Sequence, residues 1–330
     1  MKYLFIFLAL LAVPFLAVSG QVNLGDRCKL QTVNAEKGRE LLTKNDVYLQ
    51  RLTSFERAAR LRLKRPVSAA EFKSYIRHSV KDWTPAEEKI ILAALARCSS
   101  KLKNYYHLLP ENIYVIRTSG QEECNTTGYT RGKAIILSDT IFKQSRQEVE
   151  FLLMHELFHI ITRHNPGIRE PLYALIGFKK CIEPSLPAAL EKRRITNPDA
   201  LYNDYAIKVL RNKCHYWVVP RLYISHTFVS PATQGRLFDY INMVFVVVSK
   251  GDTAKPGQIS CEPYLMGMGE VSGFFEQVGR NTFYVIHPEE ILADNFALMI
   301  VGHVENKKIV NRNLISKISA VMSAWKPAGN

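Results

Sequence analysis

The 330-residue sequence has no internal repeat, no low-complexity tract and no Cys-x-x-Cys pair. The first two absences set aside arrays of repeated units and disorder over most of the chain. The third argues against a zinc ribbon or a dithiol redox motif. Acidic residues are also in deficit, 30 against 44 basic ones, for a net charge of +14. Such a surface favours an anionic partner such as a lipid headgroup, a wall polymer or an acidic substrate. No nucleic-acid motif accompanies the basic clusters at 57–65 and 192–194, so they read as solvated helix faces, without specific nucleic-acid binding.

Long apolar runs are scarce too. The one at residues 3–18 falls short of the roughly 20 residues a spanning helix needs, and Pro14 interrupts it. Met1-Lys2 before it and Ser19-Gly20 after it give the pattern of a cleaved leader. Residues 1–20 are therefore expected to be a signal peptide. The mature chain is expected to be secreted or periplasmic and not integral to the membrane. No Cys follows the run, which argues against a lipoprotein anchor. In an oxidising compartment the six widely spaced cysteines (28, 98, 124, 181, 214 and 261) suit up to three structural disulfides.

The remaining pattern predicts an α+β protein. Residues 21–110 read as an N-terminal helical region. Leu49, Leu52, Phe55 and Leu61 recur at helical spacing up to Pro66. Helices are expected over 69–80 and from a capping box at Thr84-Pro85-Ala86-Glu87. From 111 to 330 strands enter, at 113–117 and 134–137, and then as a strand-rich insert over about 200–285 that includes 282–286. Two helices carry the chemistry. One opens at the capping box Ser145-Arg146-Gln147-Glu148, and the other at Pro288-Glu289-Glu290, where the acids suit the positive helix end.

The first of these helices contains His155-Glu156-Leu157-Phe158-His159. Histidines four apart share a helix face and can reach one metal ion, and Glu156 beside them is a candidate general base. A third histidine ten residues after the first is absent, because position 165 is Asn. Among the later glutamates only Glu290 has an aspartate four residues on, at Asp294. Glu290 can ligate while Asp294 orients a ligand histidine. His215, Tyr216, Tyr284 and His287 are candidates for stabilising an oxyanion.

His155-Glu156-x-x-His159 with Glu290-Ile291-Leu292-Ala293-Asp294 resembles the gluzincin metallopeptidases. The continuation Arg163-His164 resembles their M48-type branch. The match departs at Phe158, where that branch usually has Gly, and in the 131 residues separating His159 from Glu290. The resemblance implies a zincin-like core of a small sheet plus an active-site helix. It also implies one zinc ion held by His155, His159 and Glu290, with Glu156 as general base, Asp294 behind a ligand and a peptide or protein as substrate. Two other functions stay open at this point. One is a zinc hydrolase acting on a non-peptide or cell-wall amide; the other is a non-catalytic basic binding protein with a vestigial metal site.

Overall fold

The computed structural model describes residues 20–224, 240–251 and 264–327. The leader expected over 1–20 lies, but for Gly20, outside the described residues, as does Cys261. The described residues open with strands β1 (Gln21–Leu24) and β2 (Cys28–Thr32), followed by helices α1 (Ala35–Thr43), α2 (Val47–Arg51), α3 (Ser54–Arg60) and α4 (Ala69–Ser79). Next come β3 (Val80–Lys81), α5 (Pro85–Ser99), β4 (Asn112–Thr118), β5 (Gly128–Arg131), β6 (Ala134–Ser138) and α6 (Arg146–His164). The rest comprises α7 (Arg169–Ala174), β7 (Phe178–Lys180), α8 (Ala188–Glu191), β8 (Tyr205–Arg211), β9 (Cys214–Ile224), β10 (Ile241–Lys250) and β11 (Leu265–Met266). Helices α9 (Phe274–Val278), α10 (Pro288–Val301) and α11 (Arg312–Ala324) complete it.

Among the described residues the strands form two sheets. The first runs β1-β2-β4-β6-β5, with β4 parallel to β2 and β6, β5 antiparallel at one edge, and β3 pairing with the end of β4. Both faces are covered, which explains the unbroken apolar run in β6. Ile135 and Leu137 enter a core shared with α5, α6, α10 and α11, whereas Ala134 and Ile136 pack with residues of α1–α4. The second sheet, β11-β10-β9-β8-β7, is antiparallel throughout. Its inner residues Val218, Phe245 and Val247 join the same core as α6 and α10. No helix among the described residues is long and apolar enough to cross a membrane.

Four expectations need revision. The first sheet crosses residue 110, because β1, β2 and β3 from the stretch expected to be helical all build onto β4, directly or through β2. Cys28, Leu30 and Thr32 are buried and alternate with Lys29 and Gln31, a period-two signal hidden by its shortness. The run from 49 to 61 is split in two, since Thr53 and Glu56 form a capping box that starts α3 afresh.

Residues 282–286 form no strand. Thr282 turns its hydroxyl to Asp294 and to the Tyr284 N–H, and Asn281 accepts from the Val310 and Asn311 N–H groups. Side chains here take up the bonding that a sheet ladder would use. Finally, the five described cysteines are all unpaired, and four of them are buried, so no disulfide joins them. Burial raises the thiols of Cys28 and Cys98 to about 11. They serve as small apolar side chains in the core.

Candidate metal centre

Helices α6 and α10 lie against each other at the centre of the molecule. Every residue from 153 to 162 and from 288 to 298 is buried. An apolar residue on nearly every face is what such a helix requires. Phe158, fully buried, fills the contact between them, its ring 5.7 Å from that of Phe296. The 3.6-residue period then turns His155 and His159 of α6 towards Glu290 and Asp294 of α10.

The distances bring these four side chains together. His155 Nε2 lies 3.0 Å from Glu290 Oε2, and His159 Nε2 lies 3.5 Å from the same oxygen. His155 Nδ1 is 2.8 Å from Asp294 Oδ1, whose carboxylate also accepts from the Thr282 hydroxyl. The ligand atoms of His155, His159 and Glu290 all lie within 4.8 Å of one another. Burial disfavours charge on His155, but hydrogen bonds to Asp294 and Glu290 outweigh it and raise its pKa to about 10. His159 is likewise raised well above its ordinary value, against burial, by Glu290 and Asp199.

The donor set fits a dication. His159 Nε2 is buried without a hydrogen-bond partner, pointing to the same spot as the Glu290 carboxylate. Two nitrogens and a carboxylate oxygen are a usual zinc ligand set, with room left for an exchangeable position. Both histidines face carboxylates, Asp294 and Glu290 on one and Glu289 on the other, and a divalent cation among them would offset that negative charge.

Glu156 faces the same space from α6. One of its oxygens, Oε2, is buried without a partner, and burial with Asp199 nearby raises its pKa to about 8. Gly128 on the edge strand β5 makes room for it: a Cβ there would stand 3.2 Å from Glu156 Oε1 and 3.1 Å from Leu152.

A cavity of about 360 Å³ opens over this group, with Tyr129, Leu152, Ile195, Leu222, Ile241 and Tyr284 among its walls. Of the four oxyanion candidates only Tyr284 lines it, its ring 6.3 Å from that of His155. His287 instead caps α10, and its Nε2 lies 3.1 Å from the Tyr202 carbonyl oxygen. His215 and Tyr216 sit on β9, outside the cavity lining.

Several residues at the site were not among those expected there. Asn197 donates to Glu290 Oε1 at 2.5 Å. Asp199 accepts from the Thr130 N–H and hydroxyl of β5 at 2.7 and 2.6 Å, and its carboxylate also comes near Glu156 and His159. Arg163 links the two by donating to Thr130 Oγ1 at 2.9 Å and to the Pro198 carbonyl at 3.4 Å. Glu289, expected only to favour the helix end, is buried and bonded to His159. Of these, only Arg163 and Glu289 stand beside a motif; Asn197 and Asp199 come from a loop with no periodicity to read. Behind that loop lies a second cavity of about 380 Å³, lined by Arg169, Tyr173, Tyr205 and Glu289 and sharing Pro198 and Asp199 with the first.

This arrangement is a candidate metal site of two histidines and a carboxylate, built on two facing helices. The sequence model of peptidase family M48 matches residues 87–170, about a quarter of the chain. The match covers α5 from its third residue, β4–β6 and the whole of α6, and it ends before Glu290. That stretch of the chain is therefore similar to a family of zinc metallopeptidases. No curated protein and no solved structure matches the chain.

Proposed function

We propose that this chain is an exported, gluzincin-like zinc metallopeptidase with His155, His159 and Glu290 as the metal ligands and Glu156 as general base. The observation that carries the reading is the convergence of His155 Nε2, His159 Nε2 and Glu290 Oε2 beside an unpartnered carboxylate oxygen of Glu156. The antiparallel edge strand β5, lying beside the helix that bears the motif, supports a zincin-like core. The leader-like residues 1–20 support export, and with it a secreted or periplasmic location.

Zinc, when bound, would polarise the scissile carbonyl and acidify a nearby water. The protein's own groups do the rest. Glu156 takes a proton from the attacking water as its oxygen bonds to the carbonyl carbon. It then gives that proton to the amide nitrogen as the C–N bond breaks. Burial of Glu156, with the Asp199 carboxylate nearby, raises its proton affinity, which suits it to carry the proton between the two. Tyr284, on the cavity wall near His155, is suited to donate to the oxygen that gains charge. The apolar walls at Ile195, Leu222 and Ile241 suit an uncharged substrate side chain.

The test is metal analysis of the purified chain, followed by cleavage of a peptide library by wild type and Glu156→Gln. Expected are one zinc per chain in both proteins, and a loss of roughly a thousandfold or more in kcat/KM for the variant. Zinc without hydrolysis of any peptide would move the substrate to another amide. Cleavage that survives Glu156→Gln would sink the mechanism.

A further inference from the structure

We propose that Glu289 is a second positioning carboxylate, fixing His159 for the metal as Asp294 fixes His155. The inference rests on the zinc reading above and adds a residue that the metal motif does not contain.

The two ring nitrogens of a histidine ligand are not equivalent. The hydrogen bond made by one decides which lone pair the other offers. His155 has Nδ1 on Asp294, which leaves Nε2 for the ion. His159 has its Nδ1 3.1 Å from Glu289 Oε1, which leaves Nε2, the atom without a partner, for the same ion. One stretch of α10 thus supplies a ligand, Glu290, and a carboxylate behind each histidine.

Glu289 is itself held at both oxygens. Thr162, three residues after His159 on α6, donates to Oε1. Tyr173 of α7 donates to Oε2, and the Arg169 guanidinium lies 3.8 Å from that oxygen. The Glu289 N–H donates to His287 Nδ1 at 3.0 Å, so the backbone is fixed as well. The side chain is 1% exposed. A carboxylate this deeply buried is costly unless its charge is matched, and here every matched contact holds it against His159.

No helical spacing pairs Glu289 with the site. Glu290 and Asp294 are one turn apart and share a face, whereas Glu289 lies about 100° round the helix from Glu290. It reaches His159, one turn along α6 from His155, through the Nδ1 edge of that ring.

The experiment uses the full chain stripped of metal, with three readouts: zinc affinity by chelator competition, the visible spectrum of bound cobalt(II), and thermal unfolding of the metal-free protein. Glu289→Gln is expected to weaken zinc binding by about 10–100-fold and to shift the cobalt spectrum while the metal-free protein stays folded. Wild-type zinc affinity and an unchanged cobalt spectrum in a folded Glu289→Gln protein would overturn the proposal. Glu290→Gln separates this failure from that of the parent reading. If it binds zinc as tightly as wild type, or if wild type binds none, the metal site falls regardless of Glu289. Should Glu289→Gln fail to fold, Tyr173→Phe removes only the hydroxyl that holds the carboxylate. A few-fold loss of zinc affinity then supports the role, and none overturns it.

Discussion

The helical wall of the cavity, α6 and α10, and the loop wall, residues 195–199, face the same space but are held by different means. The helices satisfy their own backbone and bury nearly every side chain, so their polar atoms are aimed by packing. The loop has no such ladder and is gripped by side chains from elsewhere. Glu56 of α3 accepts from the Thr196 N–H at 2.6 Å, and Arg60 donates to the Thr196 carbonyl at 2.7 Å. Arg163 holds Pro198, and Thr130 holds Asp199. The proposed metal ligands thus stand on the stiff wall, as a precise site requires, while the residues that shape the approach stand on a wall that can be loosened separately.

That contrast can be broken most severely at Phe158. Phe158→Ala removes a fully buried ring from the contact between α6 and α10 and is expected to cost about 3–5 kcal/mol of stability. Chemical denaturation reads the stability, and chelator competition should show weaker zinc binding alongside. A small loss with unchanged zinc affinity would mean that the helical wall is not stiffened by this packing.

Loosening the loop wall should look different. Arg163→Ala frees the Pro198 and Thr130 contacts without touching a ligand. Zinc content should stay at the wild-type level while KM for a cleaved peptide rises several-fold, on the order of 1 kcal/mol of lost positioning. Zinc loss equal to that of Glu290→Gln would erase the distinction between the walls.

The smallest effect concerns the stretch leading into the loop. The Glu183 carboxylate lies 3.1 Å from Arg51 and 3.6 Å from Arg221 and accepts from the Asn203 N–H. Burial alone would raise its pKa, but the Asn203 hydrogen bond and the Arg51 and Arg221 charges hold it below the ordinary value of 4.5. A depressed folded pKa stabilises above the unfolded value and is lost as pH falls through the folded one. Wild-type thermal stability should therefore decline on acidification below about 4.5, and Glu183→Gln should lack that part of the decline. Parallel melting curves against pH test it.

The two walls also differ in how far the sequence reveals them. The helices were legible because a capping box marks the start of α6, Pro288 and two acids mark that of α10, and ligand spacing is a property of one helix face. Residues 145–164 and 288–301 needed no tertiary information. Glu289 escaped because its partner is on another helix, and Asn197 and Asp199 because no local period marks a loop that side chains hold. The hairpin β1–β2 was hidden by length: five residues of alternation become a strand only once β4 is beside them. Residues 282–286 erred the other way, since β-branched and aromatic residues suit a strand but here find no partner strand.

The partition between the two cavities has a geometric consequence. Pro198 and Asp199 face the 360 Å³ chamber over Glu156 on one side and the 380 Å³ chamber beside Arg169 on the other. A wall one segment thick cannot retreat from one space without advancing into the other. The two volumes therefore trade against each other, with Asp199 as the side chain they share beside Glu156.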